Sequence, residues 1–189
     1  TLWPTMPPIV AAQEKLLGDL AELMPHTAAA ASADRELLRA ATREASAAQP
    51  LIVHDLSEMR RTALAQLAAR YGDEPSSVDE VMRRFVLARS DVASFLYDDT
   101  TRSLGLLRAA GLRLGALTNG NTDVSLHGQV AQLFDLPNGF AVTAAAAGAT
   151  KPNPPPFWMA AAAAGCPPSE CVHVGDSVEA DLRGALAAG

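Results

Sequence analysis

The chain of 189 residues suits one domain, or a core domain carrying a modest insertion. At 49% hydrophobic and 19% charged it can bury a sizeable core and is not a disordered composition. A formal net charge of -6 argues against a general nucleic-acid or membrane-surface binder, and no stretch is long and apolar enough to span a bilayer.

The opening TLWPTMPP has no basic region followed by an apolar run, so it does not read as a signal peptide. Cys166 and Cys171 come without a His cluster and read as two free thiols in a reducing cytoplasm.

Residues 7–94 read as helical almost throughout, helped by abundant alanine. Ile9, Ala12, Leu16, Leu20 and Leu23 form one apolar stripe at helical spacing, and Leu37, Leu38 and Ala41 a second. Met59, Leu64 and Leu67, then Val81, Phe85 and Val86, continue the series. Breaks fall at Met24-Pro25-His26, at Gln49-Pro50 and across the turn-rich residues 71–77.

From Thr100 the texture changes to alternating strand and helix. Residues 103–110 predict a helix closed by Gly111, and LRLGALT at 112–118 a short buried strand. FAVTA at 140–144 predicts a second strand, and residues 157–164 a helix closed by Gly165. CVHVGD at 171–176 predicts a third strand, and residues 178–188 a final helix. Such alternation implies a parallel sheet, whose ligands bind at the carboxyl ends of the strands. The rule points to Thr118-Asn119-Gly120, to the loop after the second strand, and to Gly175-Asp176-Ser177.

Those three places supply different chemistry. Thr118 and Asn119 offer a hydroxyl and an amide, Lys151 a cation, and Asp176 and Asp181 carboxylates. A hydroxyl donor, an ammonium and a hard oxygen ligand converging in one crevice are what phosphoryl transfer requires. Magnesium keeps several waters, so one or two carboxylates suffice to hold it. Each piece alone has a structural reading as well: a turn, a solvated lysine, a helix N-cap at Asp176, an exposed Asp181 on its helix.

LRLGALTNGN, TKPNPPPFWMAAAAAG and CVHVGDSVEADLRGALAAG resemble motifs II, III and IV of the haloacid-dehalogenase superfamily, in its helical-cap subfamily. The Lys-Pro pair, the Gly-Asp-Ser-x-x-x-Asp run and the downstream Gly184-Ala185 and Ala188-Gly189 all match. The resemblance implies an α/β fold: a Rossmann-like parallel sheet whose first strand precedes this sequence, with an inserted α-helical cap. Residues 1–6 would be a remnant of the motif I loop, 7–96 the cap and 97–189 the core. Thr1-Leu2-Trp3 would be the tail of motif I, its two aspartates lying just upstream.

The resemblance further implies Mg²⁺-dependent hydrolysis of a small phosphorylated metabolite through an aspartyl-phosphate, by a monomer or homodimer. Thr118 would bind a phosphoryl oxygen, Asn119 would shape the pocket, and Lys151 would pair with nucleophile and phosphate. Asp176 would hold Mg²⁺, with Asp181 a second ligand or an outer-shell partner of water or Lys151. Two other outcomes remain open: a 2-haloacid dehalogenase, and an inactive pseudoenzyme or fragment.

Three further features compete for attention. FLYDDTT at 95–101 and LIVHDLSE at 51–58 imitate motif I but lack alternating aspartates, and they read better as connector and cap. Ser177 with His173 imitates an esterase pair, although strand alternation turns His173 away from its immediate neighbours. Arg35, Arg39 and Arg43, with His54, Arg60 and Arg61, could receive a second anionic group or simply form a solvated face.

Overall fold

A computed structural model describes residues 2–120, 122–126, 128–135 and 139–189. The Thr1 position assigned to motif I lies outside the described residues. The chain divides into two compact units, one made of Thr1–Pro8 with Ser90–Gly189 and the other of Ile9–Arg89.

The second unit is helical. Helices α1 (Met6–Leu23), α2 (Pro25–Ala33), α3 (Leu37–Ala48), α4 (Leu56–Tyr71) and α5 (Ser77–Ser90) follow in order. The stripe Ala12, Leu16 and Leu20 is buried together with Leu64, Val81 and Phe85 in one core cluster. Ala41 and Ala45 pack on Ala63 and Leu67 in another, small side chains that let α3 and α4 approach closely. Asp55, part of one motif I imitation, is the N-cap of α4 and accepts from the Glu58 N–H at 2.9 Å. The turn-rich break after α4 has a job of its own. Asp73 reaches back and accepts from the His26 and Thr27 N–H groups at 3.0 and 2.7 Å, capping α2.

The first unit is α/β. Strands β1 (Gly115–Thr118) and β2 (Phe140–Thr143) pair in parallel, with Gly115 opposite Phe140 and Thr118 opposite Thr143. A side chain on Gly115 would collide with the Phe140 ring opposite it, so any larger residue there would force that ring to move. Between the strands runs a crossover containing α7 (Gly128–Leu133), as parallel pairing requires. Leu2 and Trp3 pack with Val92, Leu104, Val130 and Phe134 in the core of this unit. The Leu2 carbonyl accepts from Tyr97 N at 3.1 Å and from Thr100 Oγ1 at 2.9 Å, which gives the second motif I imitation a structural role.

Helix α6 (Thr100–Ala109) starts three residues earlier than the pattern predicts, and Gly111 follows it in the left-handed region at φ 81°. The short α8 (Ala144–Ala147) consumes the expected end of β2 and closes at Gly148, also left-handed. Helix α9 (Pro155–Ala164) ends at Gly165 as expected. The expected third strand at 171–176 is a correction: the segment forms no ladder, and the only sheet among the described residues is β1 with β2. The backbone there is extended at Cys171 (φ -96°, ψ 144°), but extension without a hydrogen-bonded neighbour is not a strand. Val172 and Val174 are accordingly exposed, while His173 between them turns inward. The closing helix is also two pieces, a π-helical turn Val178–Arg183 and α10 (Gly184–Ala188).

Candidate active site

The carboxyl end of β1 meets the loop after α8 through Asn119 and Lys151. The Asn119 amide donates from Nδ2 to the Lys151 carbonyl at 2.8 Å and accepts at Oδ1 from the Lys151 N–H at 2.7 Å. Both backbone groups of Lys151 are thus held by one side chain, with a cis Lys151–Pro152 bond following. The Thr118 hydroxyl accepts from the Gly120 N–H at 3.0 Å, an ST-type turn that bends the chain away from β1.

So anchored, the Lys151 side chain runs back along the sheet. Its Nζ donates to the Leu117 carbonyl at 3.1 Å and to Asp181 Oδ1 at 2.6 Å. The lysine and aspartate side chains are only 10% and 9% exposed, so the ion pair is largely withdrawn from water. His173 Nε2 lies 2.9 Å from the same Asp181 oxygen, and the Ser177 N–H donates to Oδ2 at 3.0 Å. Burial works to raise the Asp181 pKa. The hydrogen bonds from His173, Lys151 and Ser177 outweigh it and hold the carboxyl well below the usual carboxylate range.

Packing fixes this cluster from behind. The Phe157 ring stands edge-on to His173, with centroids 5.2 Å apart and planes at 84°. A Cβ on Gly175 would run into the Asp181 carboxylate, and one on Gly184 would lie 2.8 Å from the Phe157 ring and 2.9 Å from Pro152 Cα. These two glycines let the 171–176 segment and the final helix close on the Lys151 loop.

The structure therefore brings Thr118, Asn119, Lys151 and Asp181 together. Asp176 sits in the turn just before the π-helical segment and is exposed. It does not cap that segment. Ser177 does, its hydroxyl accepting from Ala180 N at 3.0 Å, so the cap reading belongs to the neighbouring residue. Asp181 is buried rather than an exposed helix residue, at 7% exposure. Ser177 Oγ and His173 form no hydrogen bond among the described residues, which leaves the esterase imitation without its proton acceptor. His173 is the participant that the motifs did not single out; the signal was its inward phase between two valines.

As metal donors, the two aspartates differ. Both Asp181 oxygens are engaged by protein donors and the residue is buried, while Asp176 is exposed in its turn. A magnesium ion that keeps most of its waters fits Asp176 as its ligand from these residues.

Comparison with known proteins gives the family. A family model for haloacid dehalogenase-like hydrolases matches residues 1–189. The 5-amino-6-(5-phospho-D-ribitylamino)uracil phosphatase YigB of Escherichia coli is 29% identical over 195 residues, covering 100% of this chain and 76% of the relative. A phosphoserine phosphatase of Thermus thermophilus is 32% identical over 118 residues, covering 62% of this chain and 47% of the relative. Among solved structures, a 2-haloacid dehalogenase from Pseudomonas syringae pv. Tomato superposes with a TM-score of 0.85 at 33% identity, covering 100% of this chain and 79% of that one. With the family model matched along the whole length and the fold shared, this chain belongs to the haloacid dehalogenase-like hydrolases.

Proposed function

We propose that the site serves Mg²⁺-dependent hydrolysis of a small phosphomonoester through an aspartyl-phosphate. The observation that carries this reading is the anchoring of Lys151. An ammonium has three N–H donors; two are committed to Leu117 and Asp181, and the third remains for a phosphoryl oxygen or an attacking carboxylate. Thr118 is set up in the same sense. Its oxygen already accepts from Gly120, which leaves the O–H as a donor to the transferring group.

In this reading the nucleophilic aspartate, and the acid that protonates the leaving alcohol, are the motif I pair expected ahead of Thr1. Lys151 lowers the repulsion between that carboxylate and the incoming phosphate. Asn119 acts by positioning Lys151 rather than by touching substrate, and Asp181 by orienting the ammonium. Asp176 would hold Mg²⁺, which when bound supplies charge neutralisation for the phosphoryl oxygens. Unit Ile9–Arg89 takes the part of the substrate-selecting cap. A reducing cytoplasm is the setting in this reading, with Cys166 and Cys171 as thiols.

The test is a phosphatase screen over a metabolite panel with the full-length protein, with and without Mg²⁺. Activity surviving EDTA, or unchanged in Asp176→Ala, would remove the metal assignment. A second reading, 2-haloacid dehalogenation, is favoured by the similarity to the Pseudomonas syringae structure. It uses a carboxylate nucleophile without a metal, so halide release from a 2-haloacid in EDTA, with no phosphate release, would replace the first reading.

A further inference from the structure

Asp181 Oδ1 has two partners, and only one of them is the lysine. An ionised carboxylate only accepts hydrogen bonds, and each of its oxygens carries two lone pairs. Oδ1 takes Lys151 Nζ at 2.6 Å and lies 2.9 Å from His173 Nε2, while Oδ2 takes the Ser177 N–H at 3.0 Å. The pairing fixes the histidine tautomer. Nε2 must carry the hydrogen, because an imidazole lone pair facing the carboxylate would repel it.

Packing alone does not require this residue type. The His173 ring meets Phe157 edge-on at 5.2 Å, a contact that an apolar side chain of similar size could also make. What the imidazole adds is one N–H, delivered from a side chain 18% exposed to a carboxylate 9% exposed. Alternation along the 171–176 segment brings it there, with Val172 and Val174 turned outward on either side. Gly175, lacking a side chain, then lets the segment lie directly against the Asp181 carboxylate.

The consequence falls on Lys151. An ammonium is a compact charge on a flexible stem, and its N–H groups point where acceptors place them. Leu117 and Asp181 place two of the three. An open second lone pair on Oδ1 would compete for the third, or leave the carboxylate free to turn and carry the ammonium with it. A donor from His173 closes that place and shares the charge of Oδ1 between two partners. We propose that His173 is a positioning residue for Lys151: its Nε2–H fills the second place on Asp181 Oδ1, which leaves the third ammonium N–H for the phosphoryl group. The role rests on the phosphohydrolase reading for its substrate, whereas the hydrogen bond does not.

Imidazole ¹⁵N NMR of the full-length protein reads the hydrogen bond without turnover, with the His173 signals assigned by their loss in His173→Gln. Nε2 is expected to carry hydrogen at neutral pH, and a bare Nε2 beside a protonated Nδ1 would overturn the proposal. Turnover reads the role. Gln and Met are close in size, and only Gln can place an amide N–H where Nε2 stood. With the best phosphate ester of the panel, His173→Met should lose kcat about tenfold, as for one hydrogen bond to a charged group, with KM changed less than about twofold. His173→Gln should stay within about threefold of wild type. Equal losses in the two variants, or a loss confined to KM, would show a packing or substrate-binding role and overturn the positioning one. Wild-type hydrolysis with His173→Met as active as His173→Gln overturns the role of His173 alone. Wild type with hydrogen on Nε2 but no phosphate released from any ester overturns the phosphohydrolase reading, and with it the role at Lys151.

Discussion

Lys151 donates to Asp181 across 2.6 Å, and the two side chains are about equally hidden from water. Removing one partner of a withdrawn ion pair leaves the other charge uncompensated, at a cost of about 3–5 kcal/mol. Asp181→Ala is therefore expected to lower unfolding free energy by that amount in urea denaturation. A loss under about 0.5 kcal/mol, the range of surface substitutions, would show that water already compensates Lys151.

Acid should act through the same carboxylate. The folded-state pKa of Asp181 lies below its unfolded value, and that of Asp73 is lowered as well: burial raises it, but the Thr27 and His26 hydrogen bonds prevail. A depressed carboxylate contributes stability above its unfolded pKa of about 4, and the contribution is lost as pH falls toward the folded value. Stability measured from pH 7 downward should hold until about pH 5 and then fall. In Asp181→Asn the fall should be shallower, and an unchanged slope would contradict the assignment.

Asn119 holds the Lys151 backbone through two hydrogen bonds, which predicts a positional effect. Asn119→Ala loses both and is expected to cost about 1–3 kcal/mol. In the active full-length protein, kcat should fall more than KM changes, since the lysine stays in the chain but is no longer held. Equal effects on a Lys151→Ala background would show that Asn119 acts by another route.

Gly175 tolerates no side chain, because a Cβ there would meet the Asp181 carboxylate. Gly175→Ala should displace Asp181 and cost about 1–3 kcal/mol, the range for overpacking. Gly18, with open space around the position, is the control. Gly18→Ala in the interior of α1 should be neutral or stabilising by up to about 1 kcal/mol. Thermal melts of the two variants check the contrast.

Cys166 and Cys171 have sulfurs 3.5 Å apart, with the Cys166 N–H bonded to the Ala161 carbonyl at 3.2 Å and the Cys171 N–H to Pro168 at 2.9 Å. Burial and the neighbouring Cys166 sulfur push the Cys171 thiol up, so its thiolate is scarce near neutrality. Diamide should convert the pair to a disulfide with the loss of two hydrogens, faster as pH rises. Mass spectrometry reads the loss, and two thiols still titrating after oxidation at high pH would refute it.

Much of this protein was legible in its sequence, because local signals and local structure coincide there. Apolar spacing marked the helices of the Ile9–Arg89 unit, Gly111 and Gly165 marked helix ends, and the order of Thr118, Lys151, Asp176 and Asp181 carried the family. The segment at 171–176 shows where that reading stops. Its alternation was real, with His173 inward and the valines outward, yet a strand also needs a neighbour, which residue types do not specify. Only the tertiary structure decided that Asp73 caps a helix 46 residues away and that Asp181 is buried beneath Lys151 and His173. It also decided that Arg60, among several similar arginines, faces a ring instead of a carboxylate. The physical reason is the same in each case: spacing fixes which side of an element a group occupies, and packing between elements fixes what it meets.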